Sequence, residues 1–472
     1  MRRRLPLVLS WLLLAGVAAA IGVAGRLLQP ALGFVAKQAC SGVLAGGATV
    51  EQAEAAFPDT WLRHLLQVRV DSAAGRADAH IPLLGRRHAV HRPGFGCTLV
   101  PRNGSLAPVP TLHPAGAAPP DTGQWLAGTP SAAPRETAAD HRLQAVLDSA
   151  FAEPATGPAR RTLAVVVVHD GRIIAERYAA GYSPLHRFPG WSMAKSVTSA
   201  LVGIRAGDGA IALDAAALRP EWQDDARARI TLRQLLQMSS GLAFDESYSP
   251  NGGATRMLFD AADAAAVAAA SPLAHPPGTR WQYSSATTNL IAEYVRRSFG
   301  GDHAAYLAFP RARLFDRVGM RSAVLEVDAA GTFVGSSFLY ATARDWARFG
   351  QLYLDDGVWQ GQRILPAGWV AFSVTPAPAA PMGRYGAQWW LNAGDASDTT
   401  RRAWPELPRD VYWASGFQGQ YVAVVPSQRL VVVRLGLTDD EAAFPLGPFL
   451  RAVIDAVPLS AGAPAAAPAP DR

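Results

Sequence analysis

Apolar residues run without a charge from Leu5 to Gly25, directly after Arg2-Arg3-Arg4. About 20 such residues span a bilayer as a helix, and arginines ahead of them predict a cytoplasmic N-terminus with the remainder exported. Residues 1–29 therefore read as a membrane anchor. A cleaved signal peptide is the alternative, because Ala18-Ala19-Ala20 offers small residues, but the length of the apolar run favours the anchor. Residues 30–100 form a small accessory region, in which Val68–Asp71 and Ala79–Ile81 flank a Gly-containing turn and predict a hairpin. Residues 101–136 are rich in Pro, Ala, Gly and Thr without periodicity, as in a linker. The main domain covers 137–458, and an Ala/Pro-rich tail at 459–472 is expected to be disordered.

In the main domain, His141–Phe151 has helical spacing in Leu143, Val146 and Leu147. Leu163–His169 and Arg172–Tyr178 read as strands joined by Asp170-Gly171, a strong hairpin signal. A second hairpin joins Tyr421–Val425 to Leu430–Gly436 around Pro426-Ser427, and a helix is expected over about 444–457. Strand pairs at both ends of a helix-rich middle predict an α+β domain: an antiparallel sheet from the two ends, flanked by helices, with a helical subdomain between.

Composition narrows the chemistry. The net charge is +6, but the basic residues are scattered, which argues against nucleic acid as a partner. No H-E-x-x-H or clustered ligand set predicts a metal, and no cofactor is implied. The only cysteines, Cys40 and Cys97, follow the apolar segment. In an exported chain they suggest one disulfide, with two buried free thiols as the alternative. Of 44 basic residues only Lys37 and Lys195 are lysines. Arginine stays protonated, whereas a buried lysine can lose its proton and act as a base.

Lys195 belongs to Ser192-Met193-Ala194-Lys195. In the first turn of a helix, residues three apart share a face, so the amine could take the proton of a hydroxyl that is otherwise too weak a nucleophile. Val197, Ala200, Leu201 and Ile204 form the buried stripe of that helix, and Gly207-Asp208-Gly209 ends it. Alone the tetrad is weak evidence, a serine cap beside a solvated lysine being its ordinary meaning.

The surrounding segments give it context. Gly190–Ser196 resembles the nucleophile segment of class C β-lactamases, DD-peptidases, related esterases and 6-aminohexanoate-dimer hydrolases. Leu235-Leu236-Gln237-Met238-Ser239-Ser240-Gly241-Leu242 is similar to a second segment of that family, and Phe244-Asp245-Glu246 with Tyr248 looks closest to the aminohexanoate-dimer hydrolase branch. Pro277-Gly278 through Tyr283-Ser284 resembles the approach to the family's catalytic tyrosine. The resemblance spans roughly 140–457 and implies a β-lactamase/transpeptidase-like fold. It implies a serine hydrolase of esters or amides with Ser192 as nucleophile and Lys195 and Tyr283 as bases, the tyrosine as phenolate beside the ammonium. Ser285 stands where class C enzymes have Asn. The family's K-T-G element is altered to Ala414-Ser415-Gly416, which removes a cation for a substrate carboxylate. Backbone N–H groups of Ser192 and Phe417 are implied as the oxyanion site, Gly416 letting substrate approach the strand. Trp191, Ser285 and Ser415 are candidates for the substrate pocket.

Two other readings remain. An α/β-hydrolase would need a strand before Ser192, where Ser183-Pro184-Leu185-His186-Arg187-Phe188-Pro189 stands, and a catalytic histidine, for which only His275 and His303 follow. A catalytically inactive binding or scaffold protein of the cell envelope is the alternative that the altered K-T-G element motivates. The favoured reading places the enzyme on the bacterial inner membrane facing the periplasm, or free in the periplasm if the segment is cleaved.

Overall fold

The structure, a computed structural model, describes residues 5–57, 61–110, 138–395 and 397–457. Arg2–Arg4, the tail and most of the expected linker lie outside these residues.

Two valine-rich runs make the centre of the molecule. Thr162–His169 (β5) and Leu430–Gly436 (β10) pair antiparallel, and both are apolar without alternation because both faces of the sheet are covered. Arg172–Tyr178 (β6) flanks β5. Beyond β10 come Gln420–Val425 (β9), Tyr412–Gly416 (β8) and Trp390–Leu391 (β7), giving a six-stranded sheet of order β7-β8-β9-β10-β5-β6. The β5–β6 turn has Asp170 and Gly171 at φ 45° and 73°, the two left-handed positions of a type I′ hairpin. The β9–β10 connection is a helical turn, Pro426–Gln428, closed by Arg429 at φ 48°.

One sheet face is covered by helices from the two ends of the domain, Ala138–Phe151 (α2) and Leu446–Ala456 (α7). Leu143, Leu147 and Ala150 meet Phe449, Leu450 and Val453 there. The other face packs on Ala343–Leu354 (α6) and on the helical subdomain containing Ala194–Gly207 (α3), Gly253–Phe259 (α4) and Ser285–Arg297 (α5). The apolar stripe expected on α3 is wider than its sequence suggests: every residue from Ala194 to Ile204 is buried, since the helix crosses the middle of the domain.

The N-terminal region departs from the expected division. A single helix, Leu5–Cys40 (α1), runs through the boundary placed at residue 29, with Pro30 inside it. The segment Ala15–Ala45 is long and apolar enough to cross a membrane. From Leu28 onward, however, its side chains pack on protein. Gln67–Asp71 (β1), Arg76–Ile81 (β2), Gly85–Arg92 (β3) and Gly96–Leu99 (β4) form a four-stranded antiparallel sheet against it. The expected hairpin is β1–β2; β3 was not foreseen because Arg86, Arg87, His88, His91 and Arg92 hide its pattern. Leu32, Ala36 and Ala39 of α1 share a core with Ala77, Ala79 and Ala89 of this sheet.

α1 also docks on the main domain. A Cβ on Gly33 would lie 1.9 Å from the Phe259 carbonyl oxygen, so glycine sets the closeness of that crossing. Four residues on, Lys37 forms an ion pair with Glu326, at 2% and 0% exposure respectively. Ser41 Oγ and the Cys97 N–H donate to the other carboxylate oxygen (2.8 and 2.6 Å). Cys40 and Cys97 are bonded, with Cα atoms 5.9 Å apart, joining α1 to β4.

Candidate active site

Ser192 sits in a 3-10 turn, Trp191–Met193, that runs into α3. Trp191 has φ 48°, a left-handed conformation that costs free energy for a non-glycine residue and is common at functional sites. The turn and the first helical residues bring Ser192 and Lys195 together. Lys195 Nζ donates to Ser192 Oγ (2.9 Å), to Ser285 Oγ (2.9 Å) and to the Ser336 carbonyl (3.0 Å). The lysine is 1% exposed. Burial lowers its pKa to about 8, with the Glu246 carboxylate pulling the other way. At pH 7 about one tenth of the amine is therefore unprotonated, and a neutral amine has a lone pair to accept the serine proton.

Tyr283 precedes α5, whose N-cap Ser284 accepts from Thr287 N–H at 3.3 Å. The two flanking sequence segments brace each other: Gln282 N–H donates to Met238 C=O (2.8 Å) and Gly278 N–H to Ser239 C=O (2.7 Å). Trp390 stacks on the Tyr283 ring at 5.5 Å and Tyr385 meets it edge-on at 6.1 Å. So held, the tyrosine lies beside Ser192, which favours its ionised form. Lys195 Nζ lies 4.8 Å from the ring centroid. The expected phenolate is not what this geometry favours. Burial raises the Tyr283 pKa, the Ser192 contact only partly opposes it, and Glu246 adds to the rise. Burial thus keeps the phenol in its protonated form, which suits proton relay better than proton abstraction from rest.

Ser285, the first residue of α5, is fully buried. It accepts from Lys195 and donates to Glu246, whose second oxygen accepts from the Ser285 N–H at 2.7 Å. Tyr248 donates to the same carboxylate at 2.9 Å and lies 3.1 Å from Ser285 Oγ. Neither Glu246 nor Tyr248 was singled out as a site residue, although both stand in the motif following Gly241. Asp245 shapes their loop by accepting from Ser247 and Gly253 N–H groups (2.9 and 2.7 Å). If neutral Lys195 is the base, kcat/KM should fall below about pH 8 as the amine protonates. Glu246→Gln keeps an acceptor for Ser285 but removes the charge that favours the ammonium, so the acid limb should move to lower pH. A pH profile of ester hydrolysis reads this directly; an unmoved limb would detach it from Lys195.

Strand β8 runs beside the Trp191–Met193 turn. A Cβ on Gly416 would come within 2.2 Å of the Gly190 carbonyl oxygen, so only glycine permits this approach. Phe417 follows, 41% exposed, with its ring edge-on to Trp191 at 5.5 Å and stacked near Tyr248 at 6.4 Å. Ala414 is buried in the core shared with α3 and α6. Strand alternation puts Ser415, paired with Tyr421, on the face carrying Trp413 and Tyr421, towards α2 and α7. It is thus not among the residues lining the cavity at Ser192, unlike Trp191. That cavity has a volume of about 300 Å³ and is walled by Trp191, Ser192, Tyr248, Ser337 and Phe417 on one side and by α1 on the other.

A buried lysine on a serine at a helix start, a tyrosine over it and a sheet edge alongside define a penicillin-recognising type of serine hydrolase fold. The chain belongs to the beta-lactamase family, whose profile matches residues 147–451, more than half of the sequence. It is 27% identical over 305 residues to a 6-aminohexanoate-dimer hydrolase of Paenarthrobacter ureafaciens, covering 59% of this chain and 73% of the relative. Among solved structures, a candidate 6-aminohexanoate-dimer hydrolase from Bacillus anthracis superposes with a TM-score of 0.54 at 23% identity, covering 70% of this chain and 88% of that one. A family VIII carboxylesterase superposes with a TM-score of 0.52 at 16% identity, over 68% and 97% of the two chains. The fold is β-lactamase/transpeptidase-like, and the protein is an esterase/amidase-like hydrolase of this superfamily.

Proposed function

We propose that the protein cleaves an ester or amide through an acyl-enzyme on Ser192. The observation that carries this reading is the Lys195 amine, buried, shifted towards neutrality and 2.9 Å from the Ser192 hydroxyl. Neutral Lys195 takes the Ser192 proton as Oγ bonds to the carbonyl carbon. The tetrahedral oxyanion is held by the N–H groups of Ser192 and Phe417. As it collapses, the bond to the leaving group breaks, and the proton passes from Lys195 through the Tyr283 hydroxyl to the leaving oxygen or nitrogen. Water then attacks the acyl-enzyme, giving its proton back along the same route, and Ser192 is released. Ser285 and Glu246 position the amine.

Ala414 leaves no cation where a substrate carboxylate would lie, so unbranched esters and linear amides fit this site better than penicillins. The relative named for hydrolysing the 6-aminohexanoate dimer supports the amide part of this reading. The charge-free start of α1 supports anchoring in the inner membrane, with the hydrolase facing the periplasm as the domain of residues 137–458. The test is p-nitrophenyl acetate and butyrate hydrolysis by the full chain beside Ser192→Ala. Turnover by the wild type alone is expected. Equal activity of the two would remove Ser192 as nucleophile, and inactivity of both would favour a non-catalytic binding protein, as the altered K-T-G element allows.

A further inference from the structure

The cavity at Ser192 is not built by the hydrolase domain alone. Leu28, Ala31, Leu32 and Val35 of α1 line it, with Ile81 of the accessory sheet and Leu66 just before it. Phe34 of α1 stacks on Trp191, the residue before the nucleophile, with ring centroids 6.3 Å apart and planes 7° from parallel. Among the lining residues only Arg63 is charged, and it is exposed, at the rim. The wall is fixed in place by the Gly33 crossing, the Lys37–Glu326 pair and the Cys40–Cys97 bond.

The same helix sets the height of this cavity above a bilayer. At 1.5 Å per residue the charge-free stretch from Leu5 to Gly25 is about 31 Å long, close to the roughly 30 Å of a hydrocarbon core. Val17 and Val23 on it are 51% and 57% exposed. At its end the surface changes character. Arg26, Arg86 and Arg102 surround a groove beside Gly25, next to Leu83, which is 85% exposed at the tip of the β2–β3 turn. An exposed leucine among arginines suits the boundary between lipid tails and headgroups. The cavity-lining residues of α1 begin about 3 Å beyond Arg26 and end about 14 Å beyond it, by helix rise.

An apolar cavity that starts at the headgroup level and ends at a nucleophile fits one class of ligand. We propose that the substrate is a membrane-resident amphiphile, whose aliphatic chain lies in this cavity while its ester or amide reaches Ser192. The inference rests on the hydrolase and anchor readings above and names their substrate class. At about 300 Å³ the cavity is of the size that takes a small apolar ligand, and an aliphatic chain fits its apolar walls. Anchor and enzyme are then one device: the helix that holds the protein in the bilayer also forms the slot through which the chain leaves it.

The test uses the full chain in phosphatidylcholine nanodiscs with two ester series, one lengthened from two to ten carbons on the acyl side and one on the alcohol side. In at least one series kcat/KM should rise by at least about tenfold with length, since each buried methylene adds to binding. Ala31→Phe, which fills the slot from α1, should lower the ten-carbon to two-carbon ratio at least fivefold, and Leu28→Trp should act in the same direction if Ala31→Phe does not fold. Flat profiles in both series, with turnover still dependent on Ser192, would overturn the chain inference and leave the hydrolase standing. A second readout does not need turnover. A ten-carbon fatty acid bearing a terminal diazirine, photolysed with the Ser192→Ala protein, should label residues 28–35 or the Leu66–Ile81 segment, and Ala31→Phe should reduce that label. Labelling confined to residues 5–25 would mean that the chain stays in the bilayer, against the proposal.

Discussion

Lys195→Ala should lower kcat/KM for p-nitrophenyl butyrate by about 10²- to 10⁴-fold, the usual worth of a positioned general base. The lysine is held by Ser192, Ser285 and the Ser336 carbonyl, and a water left in its place would be a far weaker base than a buried amine. Lys195→Arg makes the argument sharper. Arginine restores a donor to the same partners but stays protonated at any working pH, so it should recover packing and not rate. If Lys195→Arg were nearly as active as wild type, the lysine would be a structural donor. If both variants were near normal, Ser192 would have to find its base elsewhere.

The second large effect concerns the other lysine. Lys37→Ala should destabilise the protein by about 3–5 kcal/mol, because it leaves the Glu326 carboxylate buried without its partner charge. Ser41 and the Cys97 N–H continue to donate to that carboxylate, but they do not neutralise it. Neutralising both ends, as Lys37→Met with Glu326→Gln, should recover much of the loss, since replacing a whole buried pair is often nearly neutral. Urea unfolding of the full chain in detergent, followed by tryptophan fluorescence, measures both. A loss below about 1 kcal/mol for Lys37→Ala would show that α1 is held to the domain by its apolar contacts and the disulfide alone.

Local signals in the sequence account for much of this architecture. The Asp170-Gly171 turn, the two valine runs and the terminal helix needed only nearest-neighbour chemistry, and each lies within a few residues of its expected place. The Ser192–Lys195 contact was legible because a spacing of three is a local property of a helix. What was illegible is non-local. Glu246 meets Ser285 across 39 residues, and no periodicity relates them. The charged strand β3 conceals its alternation because Arg87, in phase with the core residue Ala89, is itself buried and paired with Asp260. α1 reads as an anchor as far as Gly25, yet nothing in its composition says that the next turns are buried by the domain rather than by lipid. The protonation of Tyr283 depends first on its burial, a matter of three-dimensional placement. The side of β8 on which Ser415 points followed from register, which the altered K-T-G triplet alone does not specify.

The most direct measurement is to trap the covalent intermediate. The full chain is mixed with a slowly deacylating p-nitrophenyl ester, quenched in acid within the first turnover, digested and mapped by mass spectrometry. The mechanism predicts one acyl group per chain on the peptide containing Ser192, lost in Ser192→Ala. Acylation of a different residue, or hydrolysis at the full rate by Ser192→Ala, would contradict it.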